Sequence, residues 1–120
     1  MNTKDITIGV VFTKRDFNID TFFGSCFGHD KYAKDLSFVV IDNACDFDLD
    51  SKVKDWLKNN PYKVIRNEKI ESLSYNHNLI LYNSDSDYII HNNDEVYFKE
   101  NWLQNTIIWI LNHGYNRIAQ

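Results

Sequence analysis

Apolar positions along this chain fall into two patterns, short unbroken runs and longer stretches in which they recur every three or four residues. Residues 6–12 (ITIGVVF) form the first run, rich in β-branched side chains, and predict a buried strand. Ile19, Phe22, Phe23, Cys26 and Phe27 then repeat at helical spacing, although Gly24 and Gly28 weaken that helix. A second run at 36–41 (LSFVVI) stops at Asp42-Asn43. Asp50 is placed to cap a helix whose inner face is Val53, Trp56 and Leu57, ended by Asn59-Asn60-Pro61. Residues 62–65 read as a short strand, and 72–83 as a helix with Leu73, Asn76 and Ile80 on one side. Residues 88–91 read as a strand again, and 98–112 as a helix with Leu103, Ile107, Ile110 and Leu111 inward and Gly114 to terminate it. A fifth strand can begin in 115–119. Strands apolar on both faces, alternating with helices, predict a mostly parallel α/β sheet covered on both sides.

Composition narrows the setting. The 120 residues suit a single domain spanning 1–120, and 43% hydrophobic with 15% aromatic content supports a packed core. The net charge of −4 comes without a basic stripe, which argues against a simple nucleic-acid binder. No run reaches the roughly 18 apolar residues of a membrane-spanning helix, and the first residues lack a signal-peptide pattern. Cys26 and Cys45, with no CxxC, fit reduced thiols, so a cytoplasmic location is expected.

In a parallel sheet the strand C-termini share one edge, where ligands bind. That edge would carry Thr13-Lys14-Arg15-Asp16, Asp42-Asn43, Arg66-Asn67 and Asn92-Asn93-Asp94-Glu95. Turn chemistry accounts for each singly; four polar ends on one edge point to a ligand cleft. Lys14, Arg15 and Arg66 either sit near phosphates or are solvated. No glycine-rich phosphate loop follows the first strand, which removes nucleotide-binding folds of the P-loop and dinucleotide types. A phosphoacceptor receiver domain would need acids where Thr13-Lys14 and Arg66-Asn67 stand. His29, His77, His91 and His113 lack metal-ligand spacing and read as structural or exposed, and Cys26 reads as core. The Asp46, Asp48, Asp50 alternation lacks the glycine and distal Glu of an EF-hand and reads as a solvated loop with a cap.

The ordered series ITIGVVFTKRD, LSFVVIDNACD and YKVIRNEKIESLSYNHNLILYNSDSDYIIHNNDEV, followed by WL, resembles the N-terminal half of GT-A fold glycosyltransferases, nearest the inverting family 2. The resemblance implies a Rossmann-like β-α-β-α-β-α-β-α domain, truncated relative to a full GT-A domain. It implies a nucleotide-sugar donor, expected to be a UDP-sugar, and an Mg or Mn ion. By the same resemblance Thr13, Lys14, Arg15 and Asp16 match the loop around the base. Asp42 matches the acid that reads uracil, with Asn43 beside it, and Asn78 matches an asparagine of the third helix. Asn92, Asn93 and Asp94 fall on the D-x-D element, with Asp94 as main metal ligand, Asn92 in place of the first acid and Asn93 between them. No residue matches the family's catalytic base, so the acceptor is unknown and its site is expected from a second copy or a partner chain. The alternative is a non-catalytic nucleotide-binding or regulatory module on a shortened GT-A scaffold.

Overall fold

A computed structural model describes residues 3–14, 18–113 and 117–119. Five strands, β1 (Ile6–Thr13), β2 (Ser37–Asn43), β3 (Tyr62–Asn67), β4 (Tyr88–Asn93) and β5 (Arg117–Ala119), form one parallel sheet in the order β3-β2-β1-β4-β5. The helices are α1 (Ile19–Gly28), α2 (Leu49–Leu57), α3 (Leu73–Tyr82) and α4 (Trp102–His113). The α/β class and the alternation expected from the sequence are those observed.

Strand alternation divides the core in two. Ile6, Ile8, Val10 and Phe12 of β1 pack with Phe38 and Val40 of β2 against α1, α2 and the first turn of α4. Val11, Val39, Ile41 and Ile89 point the other way, onto Ile80 of α3. The first cluster is aromatic: Phe22 meets Phe23 edge-on at 5.2 Å and Phe98 at 5.1 Å. The α3 side is thinner and closer. A Cβ on Gly9 would come within 2.5 Å of Ile80 Cγ2, so only glycine lets α3 approach there.

Four strands run past their apolar stretches, because the parallel ladder continues through the polar residues. Phe12, Asp42 and Arg66 are in register, as are Thr13, Asn43 and Asn67. Asn92 and Asn93 pair with Val10 and Val11. Helix α2 is capped by Asp48, not Asp50: its carboxylate accepts from Ser51 N–H at 3.2 Å and from the Ser51 hydroxyl at 2.7 Å.

Helix α4 starts at Trp102, later than the expected residue 98. Phe98 belongs to α1 instead, where its N–H donates to Ser25 Oγ and its ring packs on Phe22. Asn101, at φ 58, then breaks the backbone just before the helix. Its cap comes from far along the chain: buried Asp30 accepts from Leu103 N–H and Gln104 N–H while also accepting from Tyr32 N–H. Leu103 and Ile110 are buried as expected, but Leu111 is 62% exposed and Leu73 57% exposed, so neither is a core residue. Gly114 and Tyr115 lie outside the described residues.

Candidate functional site

The C-terminal edge of the sheet carries a cleft of about 310 Å³, at the low end of the roughly 300–1,000 Å³ typical of small-molecule sites. Val11 and Thr13 come from β1, Asn43 from β2, Asn93 from the end of β4, and Asp94 and Glu95 from the turn after it. Ile70, Glu71, Leu73 and Asn76 form the opposite wall. The cleft thus lies on the α3 side of the sheet, where Val11 also points.

An amide network builds that wall. Asn43 Nδ2 donates to Thr13 Oγ1 at 3.1 Å and to the Glu71 carbonyl at 3.2 Å. Its Oδ1 accepts from Asn67 Nδ2 and from Glu71 N–H, both at 2.9 Å. All four hydrogen-bonding positions of the Asn43 amide are therefore used within the protein. Asn67 Nδ2 also donates to Asn76 Oδ1 at 2.7 Å, and Asn76 Nδ2 reaches the Glu71 carbonyl at 3.4 Å. Asn43 is a strut, and what it holds is residue 71.

Both walls carry acids. The cleft presents Glu71, Asp94 and Glu95, and no lysine or arginine is among its described lining residues. Burial lifts the Asp94 carboxyl above its ordinary range; a hydrogen bond from Asn18 opposes that shift and the charge of Glu95 adds to it.

This fold has solved counterparts. The chain is similar to the crystal structure of S. aureus TarS, with a TM-score of 0.76 at 17% identity over 95% of this chain and 20% of that one. It is also similar to the crystal structure of S. aureus TarS 1–349, with a TM-score of 0.68 at 15% identity over 95% of this chain and 33% of that one. The chain therefore spans a third or less of the length of the structures it matches, and at these identities the likeness is one of fold. No protein-family model matches the sequence, and no curated protein matches it.

Of the residues expected at the site, Thr13, Asn43, Asn93 and Asp94 come together in the cleft. Asp42 does not. It shares the α1 side with its register partner Phe12, is 5% exposed, and has both oxygens engaged: Oδ1 accepts from Cys45 N–H and Oδ2 from Arg66, each at 2.9 Å. Arg66 also reaches the Cys45 carbonyl at 3.3 Å, so it is tied to this pair and does not face the cleft. The Cys45 thiol donates to the Phe12 carbonyl and is pushed up to about 12, by burial first and then by Asp42.

Asn92 shares the parity of Ile90 on β4, so its side chain points to the α1 side. It is buried, with Nδ2 on the Ile90 carbonyl and an Oδ1 that has no hydrogen-bond partner. Asn78 is exposed; the inward asparagine of α3 is Asn76, two residues earlier. Lys14 is exposed, at φ 62, with its carbonyl accepting from Asp46 N–H. Arg15 and Asp16 lie outside the described residues.

Sequence reasoning missed Glu71, Ile70 and the roles of Asn67 and Asn76. One signal was available, since Asn76 is a polar residue on the inward face of a helix. His29, His77 and His91 are not among the described residues of the cleft lining. His29 Nδ1 contacts the Phe98 carbonyl, and His77 packs on His91 with ring centroids 4.6 Å apart. Among the described residues no helix is long and apolar enough to cross a membrane.

Proposed function

We propose that this chain is the donor-binding part of an inverting glycosyltransferase, taking a nucleotide-sugar, foremost a UDP-sugar, in the cleft with an Mg or Mn ion. TarS is a glycosyltransferase, and the shared fold supports a glycosyltransferase-like unit here. The observation that carries the finer reading is the acid-lined cleft at the strand C-termini. A diphosphate there meets carboxylates and, among the described lining residues, no lysine or arginine, so by this reading a cation offsets its charge.

The residues present fit such an ion. Among the described residues no three His, Cys, Asp or Glu side chains form a ready-made cage. Magnesium typically binds through one or two carboxylates plus substrate phosphates. Asp94 is the first ligand by this reading, with Glu95 beside it as a second carboxylate of the same cleft. Asn92, expected from the sequence as a further ligand, is buried on the α1 side and is not among the cleft lining. A bound divalent cation supplies charge stabilisation for the departing diphosphate.

This chain's own side chains orient the donor. Asn18 holds the Asp94 carboxylate, Asn43 holds the wall opposite, and Thr13 offers a hydroxyl at the floor. Transfer would be displacement at the anomeric carbon by an acceptor hydroxyl, whose proton goes to a base on the acceptor side, supplied by another segment or a partner chain. A thermal-shift panel of UDP, CDP, GDP, ADP and UDP-sugars, each with and without Mn, tests the reading. UDP and UDP-sugars should stabilise the protein only with the metal. Stabilisation by no nucleotide under either condition would overturn it.

A further inference from the structure

We infer that Glu71 reads the nucleobase and selects bases that present a ring N–H, uracil and guanine, over cytosine and adenine. The inference rests on the donor-site reading and adds the residue that sets its specificity.

Glu71 is fixed in place by its main chain. Its N–H donates to Asn43 Oδ1, and its carbonyl accepts from Asn43 Nδ2 and from Asn76 Nδ2. A loop residue with three such bonds presents its side chain in a set direction, which suits a recognition group. The Glu71 side chain is 22% exposed and lines the cleft, and its Oε1 forms a 4.0 Å ion pair with Lys69 Nζ, a largely exposed, solvent-screened partner.

Its neighbours supply the rest of a base site. Ile70 and Leu73 are 49% and 57% exposed, yet both line the cleft, with Val11 below them. Large apolar side chains left out of the core and flanking a carboxylate offer flat contact to a planar ring, with an acceptor at the ring's edge. Asn93, Asp94 and Glu95 stand at the β4 end of the same cleft, where the diphosphate and its cation belong in the donor reading.

A carboxylate only accepts hydrogen bonds. Uracil offers N3–H, and guanine offers N1–H with an amino group beside it. Cytosine and adenine place an unprotonated ring nitrogen at that edge, so two acceptors would face each other. Asp42, the acid near the end of β2, has its oxygens engaged by Arg66 and Cys45 N–H on the far side of the sheet.

Isothermal titration of UDP, GDP, CDP and ADP in the presence of Mn, on native protein, Glu71→Gln and Asp42→Asn, tests this. Native protein should favour UDP or GDP over CDP and ADP by roughly tenfold or more, the scale of one lost polar match. Whichever of UDP and GDP binds more tightly names the base. Glu71→Gln keeps all three main-chain bonds, and its carboxamide can donate to a ring nitrogen, so the preference should flatten or reverse. Asp42→Asn should lower thermal stability and leave the preference in place. An unchanged ratio in Glu71→Gln, or a flattened one in Asp42→Asn, would overturn the assignment. Metal-dependent binding without base preference in the native protein would overturn it too, while leaving the donor site standing. No nucleotide binding at all would overturn both.

Discussion

At the C-terminal end of the sheet two rows of side chains lie one residue apart and point to opposite faces. Phe12, Asp42 and Arg66 form one row, and Thr13, Asn43 and Asn67 the other. The first row holds a buried carboxylate closed by an arginine and a backbone N–H. The second is a neutral network of amides and a hydroxyl that opens onto the cleft. A charge pair on the packed face consumes its own binding capacity. Amides on the open face consume theirs too, but in doing so they fix Glu71, whose carboxylate lines the cleft with the largely exposed Lys69 as its ion-pair partner. Adjacent residues of one sequence thus serve stability on one side and the site on the other, because side chains alternate along a strand.

The strongest way to break this contrast is at the β4 end of the cleft. Asp94→Ala should lower Mn-dependent UDP affinity by roughly 100-fold or more, beyond the 10–100-fold typical for residues that only support a metal ligand. Calorimetry with and without Mn reads the effect, and circular dichroism should show an intact fold. Undiminished Mn-dependent affinity would remove Asp94 from the site.

Asn43→Ala comes next and should affect stability and binding together. It strips acceptors from Asn67 Nδ2 and Glu71 N–H, which costs about 2–3 kcal/mol for buried groups left unpaired. Urea unfolding gives the loss, and hydrogen exchange at the Glu71 amide should quicken. Slow exchange there in the variant would mean that the loop is held by something else.

On the packed face, Asp42→Ala should cost about 1–2 kcal/mol, from the orphaned Cys45 N–H and a released Arg66. UDP affinity should stay within about twofold of native, less than the factor of ten that 1.4 kcal/mol represents. A large loss of affinity with little loss of stability would reverse the roles of the two rows.

The smallest effect is a gain. The folded state holds the Asp94 carboxyl above its ordinary range, chiefly by burial, so near neutral pH the charged form opposes folding. Asp94→Asn should therefore raise Tm slightly over the native protein at pH 7. The difference should close as pH falls through the Asp94 range, where the native residue becomes neutral too. A lower Tm for the variant at pH 7 would show that the charge is needed for the fold.

The order of elements and the polar strand ends were legible in the sequence because both are local: β-branched runs, helical spacing and clusters of Asn and Asp stand in consecutive residues. The site was legible in part. Thr13, Asn43, Asn93 and Asp94 meet in the cleft because strand ends of a parallel sheet have to share an edge. Asn78 was two residues off the inward position. Leu73 was read as core, yet it lines the cleft, since the helical period alone cannot distinguish a face covered by the sheet from one that borders a ligand site.

By itself the sequence determined the α/β class, the number and kind of the main elements and the edge on which polar chemistry collects, since these follow from side-chain period and turn residues along a few neighbouring positions. Tertiary structure alone decided which side of the sheet each strand-end residue serves. It sent Asp42 to an ion pair with Arg66, 24 residues away, and put Asn43 under Glu71, 28 residues away. It also set the start of α4, through the carboxylate of Asp30, 73 residues before Leu103. The physical reason is common to all three: a buried polar group has to find a partner, and the partner is chosen by the packing of elements far apart in the chain.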